Sequence, residues 1–550
     1  MRKTMHGWVK WMMMALAVVF VIGFVGMSVG RNSDESKEAK GGVIAKINGE
    51  KLSRQDFENR YEKKLIETGR QSQMTDRETS PSQIENTLGP LQAEQIRGQV
   101  FDQATQWVLM VQAADKEGVR VSRGELKRKI NEIVDQTVKQ QRDMVLAGRK
   151  VKDPDKVFNA ELKKMGMSQS KLEKDIRDSI DRDMLRQQMM IDELNDKLKK
   201  SVNVSDRALR ESFDEFRLSQ ITVGTQKRSD AQAKVRAEEV INKLKGGADF
   251  ATLAKQASDD QYKDKGGDWG FAMPRPYIQP DFRDVVTKLK PGEISDPIKT
   301  PMGYAILKVT DKKNNLPKDF SDPKKQKQYR DNYMAQEQSK VQTEFMEKVQ
   351  KSAKIEVLDS ELKAYKMLTD LSKDITSASP AKRKEMVLAV IAEFQRAALN
   401  SQSQPAIISR ASAQMGMLYN ALAMSDMFNS TKEEKAKYQN EAISSLQNAL
   451  EYTDHKDLRM IIADLLIKEK QYDKAAEHLE YASDQAYDDP QIHQAIQQKI
   501  GQMKGYDPAK LASLAKKESD WLKEYERMMK ERQAAMQMQA PNAPAAPAKR

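Results

Sequence analysis

Between Phe216 and Asp311 the apolar residues change period twice, and this limits what the middle of the chain can fold into. "FRLSQITV" carries Leu218, Ile221 and Val223 in a strand-like pattern. "AEEVINKLKGGADFATLAKQASDD" then moves to a spacing near 3.6, with Val240, Ile241, Leu244, Phe250 and Leu253. "MGYAILKVTD" returns to period two at Ala305, Leu307 and Val309. Period two points alternate residues into a core, and a 3.6 spacing points one stripe of a helix there. The order strand, helix, Gly-Gly turn, helix, closing strand predicts a small α+β domain over residues 213–312. "GGDWGF" supplies a tight turn in it, and "LKPGEISDPIKT" a turn that enters a strand.

That domain is under a fifth of a 550-residue chain, which needs two to four domains. Charged residues are 32% and apolar residues 39%, a balance that suits long solvated helices. There is no cysteine, which excludes disulfides, thiolate nucleophiles and Cys-containing zinc sites. The four histidines, His6, His455, His478 and His493, lack metal-ligand spacing, and no GxxxxGK[ST] phosphate loop is present. No metal and no cofactor are expected. The net charge is +12, but the 93 basic and 81 acidic residues are mixed along the chain. No basic stripe with interleaved aromatics is visible, so nucleic acid is not an expected partner.

"WMMMALAVVFVIGFVGMSVG", Trp11 to Gly30, is uncharged and is bounded by Lys10 and Arg31. About 20 residues cross a hydrocarbon core as a helix. A cleaved signal peptide has an apolar region of about 7–15 residues, shorter than this run, although Ser28-Val29-Gly30 keeps a weak cleavage site open. The expectation is a single-pass anchor at 11–30 behind a cytoplasmic head at 1–10, followed by a linker at 31–42. Basic residues on both sides leave orientation undecided by count. A short basic head before a large domain favours an inner-membrane anchor with the bulk of the chain facing the periplasm.

Beyond the linker, Val43 to Ile47 and Lys51-Leu52 read as short strands around an Asn48-Gly49 turn. Ser53 with Asp56 caps the helix that follows. Met74 to Pro90 reads as a loop. A long helix runs from Leu91 to near Gly118, and Ser122 with Glu125 forms a capping-box pattern before further charged helices to about Lys200. Their apolar stripes are narrow, which predicts an open helical body with grooves. After residue 312 a polar stretch leads to a long helix ending near Ala353 and a strand in "KIEVL". From about Ala364 the chain is helical. Ala442, Leu446 and Ala449 map onto Ala475, Leu479 and Ala482 at a constant offset, which predicts tetratricopeptide-like repeats over 364–505. A terminal helix over 506–535 and a Pro/Ala-rich, disordered tail over 536–550 complete the reading.

"VIAKINGEKLSRQDFENRY" followed by "DQATQWVLMVQAADKEGVRVSRGELKRKI" resembles the amino-terminal chaperone module of SurA-type and PpiD-type periplasmic folding factors. The five ordered anchors of 213–312 resemble a parvulin-type peptidyl-prolyl isomerase domain. In that type the chain after the parvulin domain returns to complete the module, which implies one unit over 43–212 plus 313–363. The fold class is thus multidomain and mainly α: an N-terminal transmembrane helix, a SurA-like helical module with an inserted α+β parvulin-like domain, and C-terminal repeats.

Turning an X-Pro bond needs no nucleophile, because the barrier of about 18–20 kcal/mol is amide resonance. A catalyst lowers it by gripping proline in an apolar cup and favouring the twisted amide over the planar one. Parvulins place two facing histidines and a Cys or Asp beside that cup. By the resemblance, the first histidine position is Gln220 here, the second is Ala305, and the acid is Asp260. Trp269, Tyr277 or Ile278, and Phe282 match the cup, and Met302 and Tyr304 are assigned to substrate binding with them. Gln220 keeps a donor and an acceptor, whereas Ala305 offers neither. The resemblance implies an envelope chaperone for unfolded or newly translocated polypeptides, working near the Sec translocon. Its parvulin-like domain would bind peptides with little isomerase activity. An active isomerase lacking the histidines, or a scaffold whose repeats bind a protein partner, are the alternatives.

Overall fold

The computed structural model describes residues 42–539, apart from 73–78, 147–150, 227, 376–377, 487–488 and 504–505. The anchor expected at 11–30, the head before it and the end of the tail lie outside the described residues. Among the described residues no helix is long and apolar enough to cross a membrane.

Strands β1 (Val43–Ile47) and β2 (Glu50–Ser53) pair antiparallel around Asn48 and Gly49, both at positive φ. Helix α1 (Arg54–Gln71) begins where the Ser53 hydroxyl accepts the Asp56 amide. Helix α2 (Pro81–Lys116) opens with a Ser80/Gln83 capping box and breaks at Gly89 (φ 78°) before Pro90. Residues 81–88 are therefore helical, which corrects the loop expected over 74–90. "PSQIENTLGP" carries only Ile84 and Leu88 as apolar marks, too few for a period. They lie four apart, on one helix face, and are buried against Phe57 and Tyr61. Helices α3 (Arg123–Leu146), α4 (Pro154–Lys164), α5 (Gln169–Ser179) and α6 (Arg182–Lys200) close a separate small core around Ile130, Phe158 and Leu172.

A short helix, α7 (Asp206–Glu211), leads into the α+β domain. Its elements are β3 (Asp214–Gly224), α8 (Asp230–Lys245), α9 (Phe250–Ala257), β4 (Asp268–Pro274), α10 (Pro280–Val286), β5 (Ile298–Thr300) and β6 (Gly303–Asn314). The sheet order is β4-β3-β6-β5, antiparallel throughout. Alternation splits the side chains cleanly. Ile221 and Ile306 pack under Val240 and Leu244 of α8 and Phe250 of α9. Phe216, Leu218 and Leu307 face Phe282 and Val286 of α10.

Helix α11 (Pro323–Ser352) returns to the first module, where β7 (Ile355–Val357) pairs with β1 and completes a β2-β1-β7 sheet. Residues 214–314 thus leave and re-enter one helical body. The crossing point is an aromatic knot: the Phe213 ring meets Phe320 at 5.6 Å and Tyr329 at 5.4 Å, both edge-on.

Among the described residues eight α-helices follow: α12 (Ser360–Asp374), α13 (Pro380–Asn400), α14 (Pro405–Met424), α15 (Lys432–Tyr452), α16 (Lys456–Lys468), α17 (Tyr472–Gln485), α18 (Pro490–Gln502) and α19 (Pro508–Gln539). The repeat pattern falls on α15 and α17. Ala442, Leu446 and Ala449, and likewise Ala475, Leu479 and Ala482, are fully buried in one continuous core. Small residues at those spacings let neighbouring helices approach while the leucine fills the gap between them.

A candidate proline-binding cleft

The cleft opens where β3 and β6 run side by side. Thr222 lies opposite Ala305, and Gln220 opposite Leu307, so Gln220, Thr222 and Ala305 share one face of the sheet. The end of α9 is tied to β3 by two bonds. The Thr222 amide donates to the buried Ser258 hydroxyl at 2.9 Å, and the Asp259 amide donates to the Thr222 carbonyl at 2.7 Å. This clamp carries Asp259 and Asp260 to the mouth.

A polar corner results. Gln220 Nε2 donates to Thr222 Oγ1 at 2.6 Å and to Asp260 Oδ2 at 3.2 Å, while Thr222 Oγ1 donates to the same carboxylate oxygen at 2.6 Å. The other oxygen of Asp260 accepts the Tyr262 amide at 2.9 Å. Beside it, Asp259 pairs with Arg228 and accepts the Gly224 amide at 2.9 Å. Partial burial pushes the Asp259 carboxyl up, but the Arg228 guanidinium and the Gly224 amide outweigh it and hold the group below the ordinary aspartate range. Gly267 closes the corner. The Gln220 amide donates to its carbonyl at 2.8 Å, and a Cβ there would lie 2.5 Å from the Gln220 carbonyl, at a φ of +85°. That close approach accounts for the second glycine of "GGDWGF".

The apolar side has a floor and a rim. Ile278, Phe282 and Ala305 are buried beneath the cleft. Trp269 stacks on Tyr262 at 6.0 Å. Tyr277 and Met302 also line the cleft, but 76% and 65% of their surface is exposed, so they form a soft rim. The sequence left Tyr277 and Ile278 as rivals for one position; the structure uses Ile278 as floor and Tyr277 as rim. The cavity measures about 930 Å³, the upper part of the range for ligand pockets.

Tyr304 is a correction. It stands one residue from Ala305, so alternation turns it to the opposite face of the sheet, where it packs with Val223, Ala233 and Ala237 under α8. Thr222, Ser258 and the Arg228–Asp259 pair escaped the sequence reading. Thr222 had a signal, since it stands two residues after Gln220 on the same strand face. Ser258 and Asp259 are brought in by the turn after α9 and Arg228 by the loop after β3, and none carries a periodic mark. Ala305 leaves apolar surface where the resemblance places a second imidazole. The described histidines lie elsewhere: His455 caps α16, His478 lies on α17 and His493 on α18. Among the described residues no group of three or more His, Cys, Asp or Glu side chains is arranged to hold a metal ion.

Comparison with known families agrees with this geometry. Residues 216–311 match the PPIC-type PPIASE domain, residues 1–190 the SurA-like N-terminal domain, and residues 440–499 a tetratricopeptide repeat. The chain therefore combines a parvulin-type domain with a SurA-like amino-terminal domain and carries a repeat after them. It is 36% identical over 195 residues to the foldase protein PrsA of Geobacillus sp. (strain WCH70), covering 34% of this chain and 63% of that protein. It is 29% identical over 231 residues to the chaperone SurA of Pseudomonas savastanoi pv. phaseolicola, covering 40% of this chain and 50% of that protein. A crystal structure of the peptidylprolyl isomerase PrsA from Bacillus cereus is 23% identical, covering 52% of this chain and 93% of that one with a TM-score of 0.20. The chain spans less than two thirds of the two named relatives' length.

Proposed function

We propose that this protein is a foldase-type chaperone of the cell envelope, anchored through residues 11–30, whose cleft binds proline-containing segments of unfolded polypeptides and isomerises them slowly. One observation carries the reading: the apolar cup of Ile278, Phe282 and Trp269 is complete, while the polar corner holds Gln220, Thr222 and Asp260 and no imidazole. A proline ring seated on the floor loses water on one face, which supplies binding. Catalysis needs groups that favour the twisted amide more than the planar one. Gln220 and Thr222 spend their donors on each other and on Asp260, so little remains to favour that state. Clients are newly exported chains near the Sec translocon, in keeping with the uncharged amino-terminal run and the SurA-like module. The names of the relatives, foldase and chaperone, support the client class.

Cis/trans exchange of a short X-Pro peptide, measured with the chain lacking residues 1–41, tests this. The expected rate is close to the uncatalysed one, while the same protein delays aggregation of an unfolded client. Rapid exchange at catalytic amounts would establish the second reading, an active isomerase working through the Gln220–Thr222–Asp260 network. That network gives the second reading its own support, since each of its hydrogen bonds is formed and oriented. A scaffold role for the repeats would show as no effect on the client even at equimolar protein.

A further inference from the structure

Helix α2 lies against the repeats, and the contact is built from specific groups rather than apolar filling alone. Arg410 of α14, only 3% exposed, reaches from the helices that precede the matched repeat into the first module. Its guanidinium bonds Glu361 through Nε at 2.7 Å and Nη2 at 3.0 Å, pairs with Glu85 of α2, and stands 3.6 Å from Glu94 of the same helix. From the other side Arg97 of α2 takes Glu361 at 3.1 Å and holds Glu58 with two bonds, at 2.8 and 2.7 Å. The break in α2 is read as well. Gly89 leaves helical geometry and Pro90 has no N–H, so carbonyls ahead of the break lose their helical partners. His455, at the start of α16, supplies one: its Nε2 donates to the Thr87 carbonyl at 3.1 Å while its Nδ1 accepts the Asp457 amide. A side chain at Gly89 would lie 2.6 Å from the His455 ring, so only glycine lets the two pack. Leu91, just past the break, packs on the repeat core.

We infer that the face made by α14 and the start of α16 is a binding site for an acidic helical segment with a Gly-Pro break, and that residues 85–97 of this chain fill it in cis. Repeat stacks commonly offer such a face to a separate partner. Here Arg410 reads the acids, His455 reads the orphaned carbonyl, and the absence of a side chain at residue 89 sets the fit. A separate protein that uses this face must carry the same chemistry and displace α2. The inference does not rest on the activity of the proline cleft.

Hydrogen exchange on the full chain in detergent tests it. In the wild type, amides of 85–97 and of 405–413 are protected together. Arg410→Ala takes away Glu85's partner and one of the two arginines that hold Glu361, and exchange in 85–97 is expected to quicken on the order of 100-fold, with 214–314 unchanged. Because that variant could also loosen the repeats, Gly89→Ala serves as a second probe. It drives a methyl into the His455 ring, and adding His455→Ala is expected to restore part of the lost protection. A synthetic peptide of residues 79–101 should then bind the Gly89→Ala chain and not the wild type. Unprotected 85–97 in the wild type would overturn the inference. So would faster exchange in 405–413 with 85–97 unchanged, or a freed face that ignores the peptide.

Discussion

The candidate cleft beside β3 and β6 and the seam between α2 and α14 both gather charged side chains, and they treat charge in opposite ways. At the cleft, Asp260 is half-buried and Asp259 exposed at the mouth, and both are bonded to β3, Asp260 also to the amide of its own turn. At the seam, Arg97, Arg410, Glu361 and Glu94 are all at most 3% exposed and come from three helices. Burial alone would push the Glu361 carboxyl up; Arg410 and Arg97 outweigh it and hold it at about 2. Glu94 has no hydrogen-bond partner for either oxygen, and burial, with Glu361 beside it, pushes its carboxyl well above the ordinary range. A cleft in reach of water can lose a polar group and remain a cleft. A dry seam cannot lose one partner without stranding a charge.

The sharpest way to break that contrast is Glu361→Leu, which removes the acid between two buried arginines. A loss of about 3–5 kcal/mol is expected in urea unfolding. A loss below about 1 kcal/mol would mean that the seam is as tolerant as the cleft. Next in size, Gln220→His with Ala305→His should rebuild the missing pair. Isomerisation of an X-Pro peptide is expected to rise at least tenfold, about 1.4 kcal/mol of barrier. No gain, with the domain folded, would show that the cup and not the polar corner limits the rate.

Glu94→Gln probes the seam from the other side. A folded-state carboxyl raised above its unfolded value near 4.5 makes the wild type lose stability as pH rises from there toward the folded value. Gln does not titrate, so the variant should lack that decline and be more stable than the wild type at pH 7. Parallel stability–pH curves would refute the raised value. Smallest of all, Thr222→Val removes the hydroxyl between Gln220 and Asp260. Both partners reach water, so about 1 kcal/mol should be lost in thermal unfolding, and a much larger loss would make the corner as dry as the seam.

Legibility in the sequence follows the range of the interaction. The parvulin-like domain was readable because its anchors are local: a strand, a Gly-Gly turn and a closing strand each announce themselves within ten residues. The repeats were readable because Ala442, Leu446 and Ala449 recur on α17 in the same pattern. Within the site, Gln220, Asp260, Trp269 and Phe282 could be placed by order along the domain. Tyr304 adjoins Ala305 in sequence, yet strand parity turns it to the other face of the sheet. Residues 81–88 bury a helix face marked by only two apolar residues, too few to show a period.

Local patterns and the chemistry available to them are legible along the chain: a domain of parvulin type, no imidazole at Gln220 or Ala305, and small-large-small repeat helices. Where charge goes is settled only by packing between distant elements. Arg410 stands 49 residues from Glu361 and 325 from Glu85, and Arg97 stands 264 from Glu361. On their own helices all of them read as ordinary solvated positions. Periodicity reports which face of one element is apolar. It carries nothing about which distant element will cover a charged face and make its pairing obligatory.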